Sequence, residues 1–441
     1  MSAVREILPM GQAVKPSRPR VKPSDYPDLP FIGMEHVEAH TMKLLGTVPA
    51  GTMKSSAVYF KPGDVLYGRL RPYLNKVYRP NFEGLCSAEF IVLPENDRME
   101  GAYLQYFLNS AAFVRYTSHL NAGDRPRVDF DQLAPYQIPV PSKAKQREIV
   151  AELEKQFSRL DEAVANLQRV KANLKRYKAS VLKDAVEGRL VPTEAELARR
   201  EGRSFETGEQ LLQRAIDGRS VGGKARRRKA ELAAMPRANL REISDGWIWT
   251  TTGEICECIV PNRDKPKTFS GDIPWLTLPD FDDSEITIAR SKSGLGFTEF
   301  EVALYRAKAI PIDSVVMSCV GRFGISAVLT RKAVINQQLH AFLPSEGVVP
   351  KYLAYVLRTR DQEMLQKSTA TTIAYLNKEN CNSITVPLAP LAEQARIVAE
   401  VDRRLSLVRG VESEVDANLK RAQSLRQATL ANAFIGRAIQ K

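Results

Sequence analysis

Cysteine and long apolar runs are scarce in this chain of 441 residues. Its five cysteines are scattered and odd in number, so a disulfide framework does not fit and a reduced, cytoplasmic setting does. No apolar stretch approaches the roughly 20 residues of a membrane-spanning helix. The N-terminal residues lack the apolar core of a signal peptide. We therefore expect no membrane segment and no secretory leader.

Motifs that carry catalysis or bind metals are also missing. Residues Gly51–Ser55 resemble a phosphate-binding loop without its glycine spacing, and His36–His40 places its glutamate wrongly for a zinc protease. Cys256-Glu257-Cys258 has no second pair at metal-site spacing. Neither an Asp/Asn-Pro-Pro-Tyr/Phe motif nor a glycine-rich cofactor loop occurs. We predict that the chain is not itself an enzyme, holds no metal and carries no cofactor.

Positive charge, by contrast, is in excess. The formal net charge is +13 and the sequence pI is about 9.4. An excess of this sign favours polyanionic partners, with nucleic acid first and an anionic membrane second. Many basic proteins have neither partner, so charge alone leaves the question open. The length allows two or three domains with substantial cores.

One segment of the chain occurs twice, at a constant offset of 248 residues. Residues 146–189 and 394–437 both open with Gln-x-x-Ile-Val-Ala-Glu and both close with Ala-x-x-Gly-Arg. A repeat of such a long period predicts two copies of one unit, each a globular domain followed by a long helix. Ala-Asn-Leu-Lys-Arg at 172–176 returns at 417–421, an offset of 245, so the match is imperfect in mid-helix.

Apolar residues recur every three or four positions through both copies, which predicts a helix of roughly 45 residues, about 65–70 Å long, in each. Ser142 is a candidate N-cap and Gly188 a candidate stop for the first helix. Helices of this length need a partner of similar length, so we expect an antiparallel coiled coil with pseudo-two-fold symmetry. The residues predicted to pack are Ile149, Leu153, Phe157, Leu160, Leu167, Leu174, Ile397, Val401, Leu405, Val408 and Val415.

Short strand-like runs punctuated by glycine and proline precede each long helix, which is typical of an α+β domain. The charged connector between the copies contains a predicted helix near Gly208–Asp217 and a basic run, Lys224–Lys229, that we interpret as a solvated linker. The predicted boundaries are 1–141 for the first globular domain, 142–190 for the first long helix, 191–243 for the linker, 244–390 for the second domain and 391–441 for the second long helix.

The order of these features resembles the DNA-specificity subunit of type I restriction–modification systems, over nearly the whole chain. Residues Ser244–Trp249 are similar to the Leu-Pro-x-Gly-Trp segment that opens a target-recognition domain in that family. Gly63–Leu66, Gly188–Pro192, Ile335–Gln338 and Pro390–Val398 match further motifs. The first domain lacks a Gly-Trp motif at its start.

The resemblance implies a non-catalytic subunit that reads an asymmetric, bipartite target in double-stranded DNA. It also implies partners: two methyltransferase (modification) subunits, and restriction/translocase subunits. S-adenosylmethionine, ATP and Mg²⁺ would be used by those partners, which methylate adenine and cleave DNA. Two alternatives remain: a nuclease or fused restriction–modification enzyme with a diverged catalytic site, and a coiled-coil structural protein.

Candidate DNA contacts follow from side-chain chemistry. Arginine and lysine neutralise phosphates, arginine pairs bidentately with guanine, and asparagine and glutamine suit adenine. The candidates are Lys54, Ser55, Arg69, Arg71, Asn75, Lys76, Arg125 and Arg127 in the first domain, and Arg263, Lys265, Lys267, Arg290, Arg322, Asn336 and Gln337 in the second. Each could instead be a solvated surface group, and Asn336–Gln337 could be a structural turn.

Overall fold

The computed structural model describes residues 6–17, 19–121, 123–219, 242–261, 266–369 and 373–435. The chain divides into two units. Unit 1 is Met1–Arg169 with Val415–Lys441, and unit 2 is Val170–Glu414. Each unit contains one globular domain and a part of each of two long helices.

Short strands form the sheets of the first domain. In chain order they are β1 (Glu6–Pro9), β2 (Arg20–Val21), β3 (Pro30–Ile32), β4 (Val48–Pro49), β5 (Ala57–Phe60), β6 (Val65–Gly68), β7 (Val77–Tyr78), β8 (Gly84–Ser87), β9 (Phe90–Leu93) and β10 (Gln137–Val140). The helices of this domain are Met10–Ala13, Gly101–Leu108, Ala111–Ser118 and Phe130–Leu133. The strands pair in the orders β2-β5-β8-β3-β4, β7-β6-β9 and β1-β10.

The second domain repeats this layout. Its strands are β11 (Ile248–Thr251), β12 (Cys256–Ile259), β13 (Ile273–Leu276), β14 (Thr287–Ile288), β15 (Gly296–Phe297), β16 (Ala309–Ile310), β17 (Val315–Ser318), β18 (Ser326–Leu329), β19 (Ala333–Ile335), β20 (Leu339–Pro344) and β21 (Thr385–Leu388). Its helices are Thr252–Ile255, Glu299–Leu304, Pro350–Arg358, Asp361–Lys367 and Lys378–Asn382. The sheet orders are β12-β20-β17-β18-β14, β15-β13-β19-β16 and β11-β21.

The central strand pairings of the two domains correspond, whereas β2-β5 of the first domain and β12-β20 and β14-β18 of the second have no counterpart among the described strands. In the first domain β3 and β8 are parallel and are flanked by antiparallel β4 and β5; in the second, β13 and β19 are parallel and are flanked by β15 and β16. Strand β6 lies between β7 and β9 as β17 lies between β18 and β20. Each domain closes with an antiparallel pair, β1 with β10 or β11 with β21. The predicted duplication is therefore present at the level of topology.

The central strand of each domain is buried on both faces, because successive side chains of a strand point to opposite sides. In β6, Val65 and Tyr67 join one core while Leu66 joins another. In β17, Val315 and Met317 join one core while Val316 joins another. Burying side chains of this size contributes about 1.5–3 kcal/mol each. Strands β6 and β17 are therefore firmly held, and so is the starting point of the loop that follows each of them.

The two long helices span Lys143–Val186 and Leu391–Ile435, which are 44 and 45 residues. The Ser142 hydroxyl accepts a hydrogen bond from the Lys145 amide (3.4 Å), and Gly188 takes the left-handed conformation just after the first helix (φ +68°). Both predicted ends of that helix are confirmed, since each depends on local capping chemistry.

The helices are antiparallel within each unit. In unit 1 the guanidinium of Arg426 bonds Asp161 (2.7 Å) and lies 4.2 Å from the ring centroid of Phe157, while Leu153 shares a core with Phe434. In unit 2 Lys178 bonds Glu412 (2.6 Å), and Val181 and Ala185 share a core with Ile397, Val401 and Leu405. Residue numbers therefore increase along one helix in the direction in which they decrease along the other.

The residues predicted to pack along the helices are buried or partly buried. The buried ones are Leu153, Phe157, Ile397, Val401, Leu405, Val408 and Val415, and the partly buried ones are Ile149, Leu160, Leu167 and Leu174.

The first part of the connector is folded. Residues Glu194–Glu201 and Gly208–Arg219 are helical, and Leu190, Leu211 and Leu212 belong to the main core of the second domain. The helix predicted near Gly208–Asp217 is confirmed. The basic run Lys224–Lys229 lies outside the described residues.

Three further observations concern the described part of the chain. No helix in it is both long and apolar enough to cross a membrane. No group of three or more His, Cys, Asp or Glu side chains in it is arranged to hold a metal ion. All five cysteines lie in it, all are buried, and no disulfide joins them.

Candidate nucleic-acid interface

In the first domain the segment that follows β6 pairs with a segment from far along the chain. Leu70 and Arg127 form an isolated antiparallel bridge, and the Arg71 amide donates to the Pro126 carbonyl (2.8 Å). This pairing brings together four of the predicted residues, which we name the arginine cluster: Arg69, Arg71, Arg125 and Arg127. Four of the predicted DNA contacts are in residues 69–76, which we therefore name the first reading loop.

The first reading loop contains two residues other than glycine in the left-handed region. Arg71 (φ +53°) and Asn75 (φ +41°) bracket the turn Pro72–Leu74. This conformation costs a residue with a Cβ about 1–2 kcal/mol, and such strain concentrates at functional sites. It is held by the Arg71–Pro126 bond on one side and by the buried Asn75 amide, which donates to Asn109, on the other. The turn exposes the ring of Tyr73, which is 43% accessible.

Carboxylates hold two members of the arginine cluster. Arg69 pairs with Asp129, and Arg127 pairs with Glu89. In each pair one partner is exposed and the other is partly buried, so each carboxylate orients its arginine in the free protein. Arg71 and Arg125 are exposed. The backbone pairing therefore places these four arginines on two adjacent segments of the domain.

The other candidates of the first domain have different settings. Lys54 and Ser55 are exposed on the segment before β5. The Lys76 ammonium donates to the Met34 carbonyl (2.6 Å), and Asn75 is only 2% exposed. In this structure Asn75 and Lys76 therefore bind their own chain and shape the loop.

The second domain repeats the loop arrangement at the end of β17. Val320 and Tyr375 form the isolated bridge, and the Gly321 amide donates to the Ala374 carbonyl (2.9 Å). We name residues 319–322 the second reading loop. Its exposed Arg322 pairs with Asp283. The matching backbone bonds show which positions of the two loops are equivalent.

The predicted pair Asn336–Gln337 lies beside the second reading loop. The Cys319 amide donates to the Gln338 carbonyl (2.9 Å), which joins the loop to this turn. The side-chain Nδ2 of Asn336 donates to Oε1 of Gln338 (3.1 Å), and the side-chain Oδ1 of Asn336 accepts from the backbone amide of Gln338 (3.2 Å). The side chain of Asn336 thus closes a turn. Lys267 and Arg290 are exposed elsewhere in the domain, and Arg263 and Lys265 lie outside the described residues.

Two relevant side chains were not predicted from the sequence. Tyr73 is one, although its place in an Arg-Pro-Tyr turn was a usable signal. The other is Arg358, whose guanidinium donates to the Asp283 carbonyl (2.7 Å) and to the Ser326 carbonyl (2.9 Å). Burial lowers the pKa of Arg358 below its ordinary value. Arg358 fixes the segment that carries the Asp283 carboxylate opposite Arg322, a role that no local pattern indicates.

The Gly-Trp motif closes the second domain onto its long helix. Trp247 is buried, and its indole Nε1–H donates to the buried carboxylate of Glu393 (3.0 Å). The Glu194 amide donates to the other oxygen of that carboxylate (2.8 Å). Burial raises the pKa of Glu393, while these two hydrogen bonds oppose the shift. The motif therefore joins the connector, the start of the domain and the second long helix.

A family model described as "Type I restriction modification DNA specificity domain" matches residues 3–175 and again residues 245–414. The chain belongs to this family. Each matched stretch contains one globular domain and part of a long helix, so the duplication seen in the topology is also a duplication of the family's domain. The predicted family is confirmed, and both alternatives are set aside because the match occupies both globular domains.

Individual relatives and structures agree with this assignment. The chain is 21% identical over 387 residues to the HindI specificity subunit of Haemophilus influenzae, covering 78% of the chain and 82% of that protein. It is 28% identical over 173 residues to the EcoDI specificity subunit of Escherichia coli, an alignment that spans only 38% of each protein.

Two solved structures support the predicted fold class. One, described as the structural basis of complex assembly and conformational transition of the type I R-M system, has a TM-score of 0.68, 21% identity and 97% coverage of both chains. The HsdS subunit of Thermoanaerobacter tengcongensis has a TM-score of 0.50 and 21% identity, with 98% of this chain covered and 96% of that one. The α+β fold with two similar domains and long helices is thus confirmed. Both relatives are described as specificity subunits, and the family model that matches both domains of this chain describes a DNA specificity domain.

Proposed function

We propose that this specificity subunit reads an asymmetric, bipartite target in double-stranded DNA, with one half-site contacted by each reading loop. The observation that carries the proposal is the pair of equivalent loops, which have the same backbone bonds and different side chains. The first presents the arginine cluster and Tyr73, whereas the second presents Arg322 beside the Asn336 turn. Different donors at equivalent positions favour different base pairs.

The charges of the loops support both modes of DNA contact. Arginines pair bidentately with guanine, and the remaining cations neutralise phosphates. The partner carboxylates, Asp129, Glu89 and Asp283, are close enough to direct each arginine in the free protein. A carboxylate released from its arginine can accept a hydrogen bond from the cytosine amino group. The loops can therefore distinguish a G·C pair from its reverse.

We also propose the predicted division of labour along the chain. Residues 1–141 and 244–390 are the reading domains, and the long helices form the scaffold for two methyltransferase subunits and for restriction/translocase subunits. Apolar side chains exposed along the helices within unit 2 support a scaffold role: Leu407 is 62% exposed and Tyr177 is 45% exposed. S-adenosylmethionine, ATP and Mg²⁺ belong to the partner subunits in this proposal, and the complex acts on DNA in the cytoplasm.

A domain exchange tests the proposal. Residues 1–141 are replaced by the corresponding domain of another specificity subunit, the modification subunits are co-expressed, and methylated motifs are determined genome-wide. We expect one half of the motif to change completely and the other half to stay as it is. The reciprocal exchange of residues 244–390 is the matched control and should change the other half. A change of both halves in either exchange would show that the domains do not read independently.

A further inference from the structure

A buried glutamine opens each copy of the repeated segment. The side chain of Gln146 is completely buried at the start of the first long helix. Its Oε1 accepts a hydrogen bond from the Glu100 amide (2.9 Å), and its Nε2 donates to the carbonyls of Arg98 (2.7 Å) and Pro141 (2.8 Å). One acceptor and two donors are all engaged within the first domain.

Gln394 makes the same three bonds in the second domain. It is also completely buried. Its Oε1 accepts from the Val349 amide (2.9 Å), and its Nε2 donates to the carbonyls of Gly347 (3.2 Å) and Ala389 (2.9 Å). The two glutamines are equivalent in position, in burial and in hydrogen bonding. The first residue of the repeated Gln-x-x-Ile-Val-Ala-Glu motif therefore has the same structural role in both copies.

The bonds join three parts of each domain at one point. Glu100 and Val349 directly precede the helices Gly101–Leu108 and Pro350–Arg358, so each Oε1 holds the start of a domain helix. Pro141 and Ala389 directly follow the closing strands β10 and β21. Each amide thus ties the long helix to a domain helix and to the end of the domain's last strand.

Only a primary amide fits this position. It provides an acceptor and two donors on one side chain. A carboxylate would place its second oxygen against two carbonyl oxygens, and an apolar side chain would leave three backbone groups buried without partners. The chain uses a glutamine in this way at both junctions.

We propose that Gln146 and Gln394 are positioning residues that fix the angle of each DNA-reading domain on its long helix, and with it the number of base pairs allowed between the two half-sites. This inference rests on the proposed reading of a bipartite target. The hydrogen-bond partners of both glutamines are outside the reading loops, so the glutamines act on spacing and leave the bases read unchanged. Loss of the three bonds widens the range of angles and so relaxes the spacer requirement.

Methylation of DNA with altered spacers tests the proposal. The subunit is assembled with its modification subunits, and methylation rates are measured on duplexes with the recognised spacer and with spacers one base pair shorter or longer. We expect Gln146→Met to lower the ratio of recognised-spacer to altered-spacer rates by about fivefold or more, a factor that corresponds to about 1 kcal/mol. Gln394→Met should act in the same direction, and both variants should keep the wild-type bases in each half-site.

The controls separate positioning from general stability. Gln156→Met alters a partly exposed glutamine of the same helix, whose side-chain amide donates to Glu152 (2.8 Å), and should leave the ratio unchanged. Thermal unfolding identifies which variants fold, and Gln146→Glu and Gln394→Glu provide a second substitution at each site. A folded variant that slows methylation equally for all spacers would overturn the spacing proposal alone. Absence of target-specific methylation with the wild-type complex would overturn the proposed function, and this inference with it.

Discussion

The two reading domains have equivalent backbone hydrogen bonds at their reading loops but different residues at the equivalent positions. Arg71 and Gly321 are equivalent, since each amide donates to the partner segment, at Pro126 or Ala374. Both are left-handed, with φ +53° for Arg71 and φ +72° for Gly321. The second domain uses the residue that adopts this conformation freely, and it places its arginine one position later, at Arg322. The first domain accepts strain at this position and gains an additional arginine in its cluster.

The junctions with the long helices differ in another way. The three glutamine bonds are common to both domains. In the described part of the chain, the second domain also has the Trp247–Glu393 hydrogen bond and packs Trp247 and the connector helix Gly208–Arg219 in its core. The glutamine bonds, which both domains share, thus stabilise the junction of domain and helix. The residues that differ between the domains lie in the reading loops and beside the connector. This separation indicates where substitutions should change specificity and where they should change stability.

The largest effect is expected from Trp247→Ala. It removes a buried indole from the main core of the second domain and should lower the free energy of unfolding of unit 2 by about 3–5 kcal/mol. Chemical denaturation followed by hydrogen exchange and mass spectrometry should show early opening of unit 2. Trp247→Phe keeps the ring but removes the donor to Glu393, and should cost about 1–3 kcal/mol. Equal destabilisation of unit 1 would contradict the view that this support belongs to the second domain.

Removal of the exposed loop arginines should have an intermediate effect, confined to one half-site each. If Arg71 or Arg322 contacts guanine, its replacement by alanine should reduce discrimination at one base pair by about 1–3 kcal/mol, or roughly 5- to 150-fold. Binding to target variants at several salt concentrations measures this. Arg98→Ala, an exposed arginine paired with Glu6, is the matched control. Equal weakening for every sequence, with a smaller salt dependence, would instead assign the arginine to phosphate.

The smallest effect tests the equivalence of Arg71 and Gly321. Gly321→Ala adds a Cβ into open space but at a left-handed position, and should destabilise unit 2 by about 1 kcal/mol. Arg71→Gly should relieve strain in unit 1 and raise its stability by a similar amount, while DNA discrimination falls. Denaturant titration of both variants measures the two shifts. If Arg71→Gly lowered stability instead, the side chain of Arg71 would contribute more to the free protein than its backbone costs.

The parts of the structure that depend on local chemistry could be predicted from the sequence. The ends of the first long helix follow from Ser142 and Gly188, and the duplication follows from the repeated motif. Pairing of the reading loop with residues 126–128 could not be predicted, because it joins segments distant in sequence through backbone bonds. For the same reason nothing indicated that Asn75 is buried. Trp247 and Gln394 belong to motifs that the sequence shows, but their hydrogen-bond partners could not be predicted because those partners are distant in sequence or belong to the backbone.

The first long helix is supported unevenly along its length. Leu153 and Phe157 near its start are buried, as are Val181, Ala185 and Val186 near its end, whereas none of residues 158–180, all of them described, is buried. Local opening of a helix is opposed by the side-chain contacts that would be lost. In the isolated subunit the amides of this middle segment should therefore exchange with solvent well before those at either end. Partners that cover the segment would then contribute most of its protection, so an exchange map of the free and assembled subunit would show where the scaffold is completed by other chains.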